Sequence, residues 1–185
     1  MPAPTLQNGT ILLAEPFMLD PNFRRAAVLV VENNQEGSIG FIMNRTVDMR
    51  IDELVADFPE FDAPVYFGGP VGTDTVHYLH RLGDVLEDSD EVVKGIYWGG
   101  NYQQLKALIR QGLVQPADIR FFVGYSGWSE QQLEEELQIG SWVTAPMFAN
   151  YLFKSKPERL WKQVMQNKGR HFRVIADMSE EPNYN

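Results

Sequence analysis

The stretch IRFFVGYSGWSEQQLEEELQIGSWVTA, residues 119–145, says more about the fold than any other part of the chain. Its first six residues are rich in β-branched and aromatic side chains and predict a strand that ends at Gly124. Ser129 and Gln132 have the spacing of a capping box, so a helix is predicted to begin after Ser129. A glycine closes that helix, and residues 141–145 predict another strand. The stretch therefore predicts a strand–helix–strand unit.

The residues before this unit predict mainly strands. Residues 26–32 and 38–44 are apolar and β-branched, and turn-forming residues separate them, which is typical of an antiparallel hairpin. Shorter strands are predicted at residues 10–14, 65–67, 75–80 and 93–98.

Helices are predicted on both sides of the unit. Asn101 can cap one helix, and Pro157 suits the first turn of another. Residues 51–55 and 147–153 also predict helices, whereas residues 171–176 predict a last strand. The early strands are joined by short loops and favour antiparallel pairing. The later strands are separated by helices and favour parallel crossovers.

These elements predict one α+β domain over residues 1–185, with a mixed sheet and four or five helices. The length suits a single domain. Residues 1–8 and about 177–185 are predicted to be short flexible tails. The longest apolar run, residues 26–31, is far shorter than the ~20 residues of a membrane span. No positive charge precedes the first apolar stretch, so no signal peptide is predicted and the expected location is the cytoplasm.

The charge and the cysteine content exclude several classes of protein. The 185 residues include no cysteine, which excludes disulfides, thiolate catalysis and cysteine-ligated metals. The net charge of −9 repels nucleic acid at long range.

Residues 154–173 are nonetheless basic. In this segment one acidic residue, Glu158, faces seven basic residues: Lys154, Lys156, Arg159, Lys162, Lys168, Arg170 and Arg173. Such a pattern is typical of the solvated side of a helix, and specific nucleic-acid binding is not expected.

Four stretches, in this order and spacing, carry a resemblance to a known family. They are residues 16–23 (PFMLDPNF), 40–45 (GFIMNR), 65–71 (VYFGGPV) and 124–142, which begins GYSGW and ends GSW. Together they resemble the YqgE/AlgH family of bacterial proteins from residue 10 to about residue 176. The resemblance implies an α+β fold whose mixed sheet curls toward a barrel. One branch of that family is linked by name to regulation of alginate synthesis, and the resemblance brings no established catalytic residues.

Ser126 is the sharpest candidate for a catalytic residue. The predicted strand, turn and helix around it have the order of a nucleophile elbow, which needs the pattern Gly-x-Ser-x-Gly. Trp128 occupies the place of the second glycine, and the available partners, His171 and Asp177, follow in the wrong chain order. Ser126 is therefore predicted to be structural, and no catalytic residue is assigned.

His77 and His80 come nearest to a metal-binding pair. They lie three residues apart on a predicted strand and therefore point to opposite faces. There is no HExxH pattern, and residues 88–90 lack the glycine that turns a calcium loop. Partly buried histidines are the better interpretation, and neither a metal site nor a cofactor is predicted.

Two glycine-rich loops are candidates for binding a small anion. The backbone N–H groups of Gly68 and Gly69 can face a phosphate, although Pro70 removes one donor. Gly99 and Gly100 precede a predicted helix, whose N-terminus also favours an anion. Sharp turns at strand ends explain both loops more simply, and anion binding stays an alternative.

The candidate ligand-binding residues are Asp20, Asn44, Gly68, Gly69, Tyr125 and Trp128. Asp20 and Asn44 lie at strand or loop ends, where they can hydrogen-bond the backbone and hold a turn. Tyr125 and Trp128 belong to the residue types that anchor partners. Trp128 can instead pack on Leu133 from the position before the predicted cap, and we predict that it is mostly buried.

Three functions are consistent with these patterns. A non-catalytic regulatory or binding protein comes first, because no coherent catalytic set is present; its ligand would be a protein partner or a small anion. An enzyme that binds a small molecule or anion through the glycine loops is the first alternative. A DNA-binding transcriptional regulator that uses residues 154–173 is the second.

Overall fold

The computed structural model describes residues 6–178, so most of the two predicted tails lie outside the described residues. Ten strands and six α-helices follow one another in this part of the chain. The strands are β1 (Thr10–Ala14), β2 (Ala27–Asn34), β3 (Gly37–Ile42), β4 (Thr46–Arg50), β5 (Pro64–Phe67), β6 (Val71–His80), β7 (Asp90–Val93), β8 (Ile96–Trp98), β9 (Ile119–Ser129) and β10 (Trp142–Pro146). The helices are α1 (Ile51–Leu54), α2 (Tyr102–Arg110), α3 (Gln132–Gln138), α4 (Ala149–Phe153), α5 (Pro157–Asn167) and α6 (Arg170–Ala176).

All ten strands belong to one curled sheet, a half-barrel. Its order is β10-β1-β2-β3-β9-β6-β8-β7, with β4 paired to β5 and β5 paired to β9. Within residues 6–178, β5 and β9 form the one parallel pair, and the other pairs are antiparallel. The predicted α+β class and the curled mixed sheet are confirmed. No helix of the described chain is long and apolar enough to cross a membrane.

β9 is the longest strand and changes neighbours along its length. Its first half, through Val123, lies between β5 and β6, whereas from Ser126 onward it pairs with β3. The change happens at Tyr125, where Gly69, two residues after β5, passes close to β9 with a φ of +154°. A Cβ on Gly69 would lie 2.2 Å from the carbonyl carbon of Tyr125, so only glycine allows the chain to cross there.

The strand predicted to end at Gly124 instead continues to Ser129. Gly124 adopts a φ of +67° and bends β9 without ending it, because β3 takes over the pairing. Only one of the two bonds of the predicted capping box is present: the Ser129 N–H donates to the Gln132 side chain at 3.0 Å. The helix begins later than predicted, however, at Gln132 after the left-handed Gln131.

Three other predictions of secondary structure were wrong. Residues 171–176 form α6, because Phe172 and Ile175 have helical spacing and pack on the core together; this raises the helix count to six. The predicted strand at 93–98 is a β7–β8 hairpin that turns at Gly95. The later strands were predicted to pair in parallel, but β10 pairs antiparallel with β1, because α3 carries the chain to that edge of the sheet.

Buried side chains form three clusters, and residues of β9 belong to all three of them. Phe122 faces the largest cluster, which α4, α5 and α6 cover. Phe121 faces a second cluster, which α1 and α2 cover. Trp128 belongs to a third cluster beneath α3, together with Leu133 and Trp142. The first half of β9 therefore contributes to two of the clusters, and its second half contributes to the third.

Candidate functional site

A cleft of about 230 Å³ brings together two of the predicted site residues, Asp20 and Trp128. We call it the tryptophan cleft. The loop between β1 and β2, the end of β9, α3 and the start of β10 all contribute to it. Its lining residues are Met18, Asp20, Phe23, Gly127, Trp128, Gln132, Glu136, Ser141 and Trp142.

The carboxylate of Glu136 organises this cleft. Its Oε2 accepts hydrogen bonds from Nε1 of Trp128 at 2.8 Å and from Nε1 of Trp142 at 2.9 Å. Its Oε1 accepts a longer bond of 3.3 Å from Nε2 of Gln132. Hydrogen bonds to a charged acceptor are stronger than neutral ones. One side chain on α3 therefore holds two indoles that arrive on different strands.

The aromatic rings beside Glu136 pack directly against one another. The centroids of Trp128 and Trp142 are 5.9 Å apart in an edge-to-face arrangement, and Phe23 lies edge-on to Trp142 at 5.6 Å. At these distances the rings are in contact and leave no room for a cation between them. Trp128 is only 6% exposed, so its predicted burial is confirmed.

Large apolar side chains flank the tryptophan cleft on its outside. Leu19 is 92% exposed and Phe17 is 57% exposed on the β1–β2 loop, and Ile139 at the end of α3 is 79% exposed. The two segments are tied together, because the Glu15 N–H donates to the Ser141 carbonyl at 2.9 Å. The exposed residues therefore stand on a fixed frame beside the cleft.

Asp20 and Asn44 both hydrogen-bond the backbone of this loop. Asp20 accepts from the Asn22 N–H at 2.9 Å and stays exposed at the rim. Asn44 accepts from the Ala27 N–H and donates to the Arg25 carbonyl, each at 2.9 Å. Asn44 thus joins the end of β3 to the loop and supports the cleft without lining it.

Gly68 and Ser126 hydrogen-bond each other just beyond the paired part of β5 and β9. The Gly68 N–H donates to the Val123 carbonyl at 2.8 Å, so this group is not available to an anion. The Gly68 carbonyl accepts from the Ile42 N–H and, at 3.0 Å, from the Ser126 hydroxyl. Ser126 is fully buried in the middle of a strand, which does not match the turn that a nucleophile elbow requires.

Tyr125 lines a second cleft of about 410 Å³ together with Val71, and this cleft shares Gly127 and Trp128 with the tryptophan cleft. Glu32 and Glu36 stand at the rim of this second cleft, which disfavours an anionic ligand. His77 lies edge-on to Tyr125, with ring centroids 5.8 Å apart, and burial lowers its pKa. Of the six candidate residues, the tryptophan cleft therefore brings together Asp20 and Trp128, and the second cleft brings together Tyr125 and Trp128.

His80 is fully buried and held in one neutral form. Its Nδ1 accepts from the Leu82 N–H at 3.0 Å, so Nε2 carries the proton and donates to the Gly99 carbonyl at 2.6 Å. Burial lowers the pKa of His80, and the bond to Gly99 opposes that shift. His77 contacts Phe41 on the opposite face, as predicted.

The Gly99–Gly100 loop is fixed through its carbonyl groups. Tyr78 donates its hydroxyl to the Gly100 carbonyl at 2.7 Å, and burial raises the pKa of this phenol to about 12. Asn101 caps α2 by accepting from the Gln104 N–H at 2.9 Å, as predicted. The glycines therefore shape a turn that buried side chains hold in place.

The basic residues of segment 154–173 stand on the outer sides of α5 and α6 and in the turns beside them. Arg159, Arg170 and Arg173 are exposed, and Lys162 forms a 3.0 Å ion pair with Asp177. Lys168 donates to the Thr144 carbonyl at the β10 edge. In residues 6–178 no three His, Asp or Glu side chains lie close enough together to hold a metal ion.

Glu136 was not among the residues that the sequence patterns indicated. A signal was available, because Glu136 follows the buried Leu133 by three residues and therefore lies on the same helix face. Tryptophans on both sides of a short helix, with one acidic residue on its buried face, indicate this arrangement.

Comparison with known proteins places these features in a wider group. A family model described as AlgH-like matches residues 11–173. A UPF0301 protein of Chlorobium phaeobacteroides is 43% identical over 180 residues, which cover 97% of this chain and 96% of the relative. A UPF0301 protein of Cytophaga hutchinsonii is 35% identical over 181 residues, covering 97% and 100%.

Two solved structures have the same fold. The solution structure of the AlgH protein from Pseudomonas aeruginosa matches with a TM-score of 0.73 and 27% identity, covering 98% of this chain and 99% of that one. A crystal structure of a Corynebacterium diphtheriae protein matches with a TM-score of 0.77 at 18% identity, covering 96% and 95%, and this likeness concerns the fold alone.

Proposed function

The chain belongs to the AlgH-like family, and we propose that it is a non-catalytic binding protein that docks a basic and apolar segment of a partner protein beside the tryptophan cleft. Any regulatory role would act through that partner. The proposed location is the cytoplasm, because a chain without cysteine suits a reducing compartment.

The exposure of Phe17, Leu19 and Ile139 is the observation that carries this proposal. Single exposed apolar residues are common on soluble proteins, but several around one cleft indicate an interaction site. Here the residues belong to two segments that a backbone hydrogen bond joins. A rigid apolar surface binds with a smaller loss of conformational entropy than a mobile one.

The charge around the tryptophan cleft favours a basic partner. Asp20 stands at the rim, and α3 adds the exposed carboxylates of Glu134 and Glu135, preceded by Glu130. Complementary charge raises the association rate and selects among partners. A segment with a large apolar residue flanked by lysine or arginine has both properties that this surface requires.

The candidate catalytic groups do not favour an enzyme. Ser126 is buried and donates its proton to a backbone carbonyl, and His80 is buried and neutral with both ring nitrogens engaged. A nucleophile needs access to substrate and a nearby base. In the described part of the chain neither side chain has that access.

The experiment replaces Leu19 by a photo-crosslinking phenylalanine derivative in the native cell. Leu113, which is 65% exposed after α2 and does not line the tryptophan cleft, receives the same replacement as the matched control. We expect a partner band with Leu19 and Ile139 replacements and no such band with Leu113. The purified partner should then bind the Asp20→Lys, Glu134→Lys double variant at least tenfold more weakly.

Other outcomes would redirect or overturn the proposal. Equal labelling from Leu19 and Leu113, or no labelling at all, contradicts a specific surface. Crosslinks to a second copy of this chain would assign the surface to self-association. Crosslinks to DNA from positions in segment 154–173, without any from Leu19, would favour the transcriptional regulator.

A further inference from the structure

A separate cleft of about 400 Å³ lies beside the first half of β9, and we call it the phenylalanine cleft. Aromatic and aliphatic side chains form most of its wall. Its lining residues are Ile51, Val55, Phe58, Asp74, Val76, Tyr78, Tyr102 and Phe121. This composition, mainly apolar with a few polar groups, is that of small-molecule sites in proteins.

The strand β6 builds one wall of the phenylalanine cleft. Val76 and Tyr78 alternate along the strand and therefore point to the same face, and Asp74, from the irregular stretch between Val71 and Val76, also lines the cleft. They present a carboxylate, an aliphatic side chain and a phenol ring in a row. α1 and the turn after it build the opposite wall, and α2 adds Tyr102. The cleft is therefore an opening between elements of the second core cluster.

The side chains at the base of this cleft are already held in place. Phe121 and Ile51 are fully buried, and Phe58 lies edge-on to Phe121 with ring centroids 5.4 Å apart. The hydroxyl of Tyr78 is bonded to the Gly100 carbonyl. A ligand would therefore meet a preformed surface and would not have to order it.

Asp74 is the charged group of the wall, and its carboxylate is free. It makes no ion pair or side-chain hydrogen bond with any residue between 6 and 178. Two basic groups on the elements that form the other walls of the cleft are engaged elsewhere: Arg50, directly before α1, pairs with Asp52 at 2.5 Å. Lys106 pairs with Asp57 at 3.0 Å while its Nζ lies 4.7 Å from the Tyr102 ring centroid. A ligand cation would thus find one unpaired carboxylate.

We propose that the phenylalanine cleft binds a small amine with a flat apolar body. The body lies against Phe58, Phe121 and Tyr78, and the ammonium group bonds to Asp74. The volume is near the lower end of the 300–1,000 Å³ typical of ligand sites, which suits a molecule of roughly ten to fifteen heavy atoms. This inference is independent of the protein-docking surface at the tryptophan cleft.

The test uses 2-phenylethylamine as the probe and 2-phenylethanol as its neutral match, each titrated into the full chain at pH 7. Amide chemical shifts report the place of binding. We expect saturable binding of the amine, with the largest shifts at Val76 and Tyr102. Asp74→Asn should weaken the amine about tenfold, as the loss of a charge-assisted bond does, and leave the alcohol unchanged.

Two further variants complete the test. Asp84→Asn removes an exposed carboxylate elsewhere and should leave both probes unaffected. Val76→Phe fills the cleft and should prevent binding of both, and its amide spectrum shows whether it is folded. No saturation with the amine up to its solubility limit overturns the proposal. So does an equal loss in the Asp74 and Asp84 variants, or shifts confined to another surface.

Discussion

In its second half β9 carries Trp128, whose ring nitrogen shares the Glu136 carboxylate with Trp142; in its first half it carries Phe121, which packs edge-on against Phe58. The first arrangement has a direction, because hydrogen bonds fix the angle and distance of both indoles. The second depends on contact alone, and it leaves a cleft of about 400 Å³. The shared Glu136 carboxylate therefore fixes the positions of Trp128 and Trp142 more tightly than packing alone fixes those of Phe121 and Phe58.

The two halves are joined at the crossing of Gly69 over β9, and a change there should have the largest effect. Gly69→Ala places a Cβ 2.2 Å from the Tyr125 carbonyl, and backbone cannot move aside cheaply. We expect a loss of more than about 4 kcal/mol, a large part of the ~5–15 kcal/mol that stabilises a typical domain. Circular dichroism and urea titration measure it.

Gly140→Ala is the matched control for the crossing. Gly140 also has a positive φ, but a Cβ there meets nothing within 4 Å. The expected cost is only the strain of a left-handed residue, about 1–2 kcal/mol. If the Gly69 and Gly140 variants unfold at the same urea concentration, close crossing is not what makes Gly69 necessary.

Trp128→Ala tests the anchored half. We expect a loss of about 3–5 kcal/mol, because a large buried aromatic side chain is replaced by a cavity and Glu136 loses a donor. Chemical denaturation at pH 7 gives the value. A loss below about 1 kcal/mol, or a melting temperature that falls by less than about two degrees, would contradict a structural role for this indole.

Glu136→Leu tests the hydrogen bonds to the two indoles separately from the packing of their rings. Two indole N–H groups lose their acceptor, and each unsatisfied buried donor costs about 1–3 kcal/mol, so we expect a total loss of at least about 2 kcal/mol. Glu136→Gln keeps an acceptor oxygen and should cost less. Glu135→Gln, on the exposed side of α3, should stay within about 0.5 kcal/mol of the parent. A Glu136→Leu variant as stable as the Glu135 control would remove the contrast between the two halves.

His80, which pairs with Ile119 at the start of β9, should give the smallest effect and one that depends on pH. Burial lowers its pKa in the folded state below the ordinary 6.5, so the unfolded chain binds the proton more tightly. Stability is therefore full above pH 6.5 and falls as the pH drops, until the lowered pKa is passed. The slope for one such group is at most about 1.4 kcal/mol per pH unit.

Urea titrations at pH 7.5, 6.5 and 5.5 test this dependence. The parent chain should lose stability over this range, and His80→Gln should lose less of it. His171→Gln is the control, because His171 is exposed on α6. An unchanged slope in the His80 variant would mean that other groups, such as His77, carry the acid sensitivity.

Local sequence patterns correctly predicted the features of the fold that depend on residues close together in the chain. The β2–β3 hairpin, the Asn101 cap and the burial of Trp128 follow from periodicity and capping rules. Residues 171–176 were misassigned because their composition suits a strand, whereas packing on the largest core cluster selects the helix. Propensity is a weak prior that tertiary contacts override.

The candidate site was predicted only in part, for a related reason. Asp20 and Trp128 were both proposed from local patterns, but no local pattern shows that they share a cleft. The role of Gly69 depends on a backbone that lies far away in sequence, and the role of Glu136 depends on two strands meeting under one helix. Such contacts are set by topology, which periodicity does not encode.

The central place of β9 also has a consequence for how the chain is made on the ribosome. β3 is complete at Ile42, and about 75 further residues are synthesised before Ile119 begins the strand that pairs with it. At ~5–20 residues per second, the nascent hairpin waits roughly 4–15 s with an unpaired edge. Unpaired edges are templates for aggregation. We therefore expect newly made chains to engage a chaperone at the β2–β3 hairpin until β9 emerges.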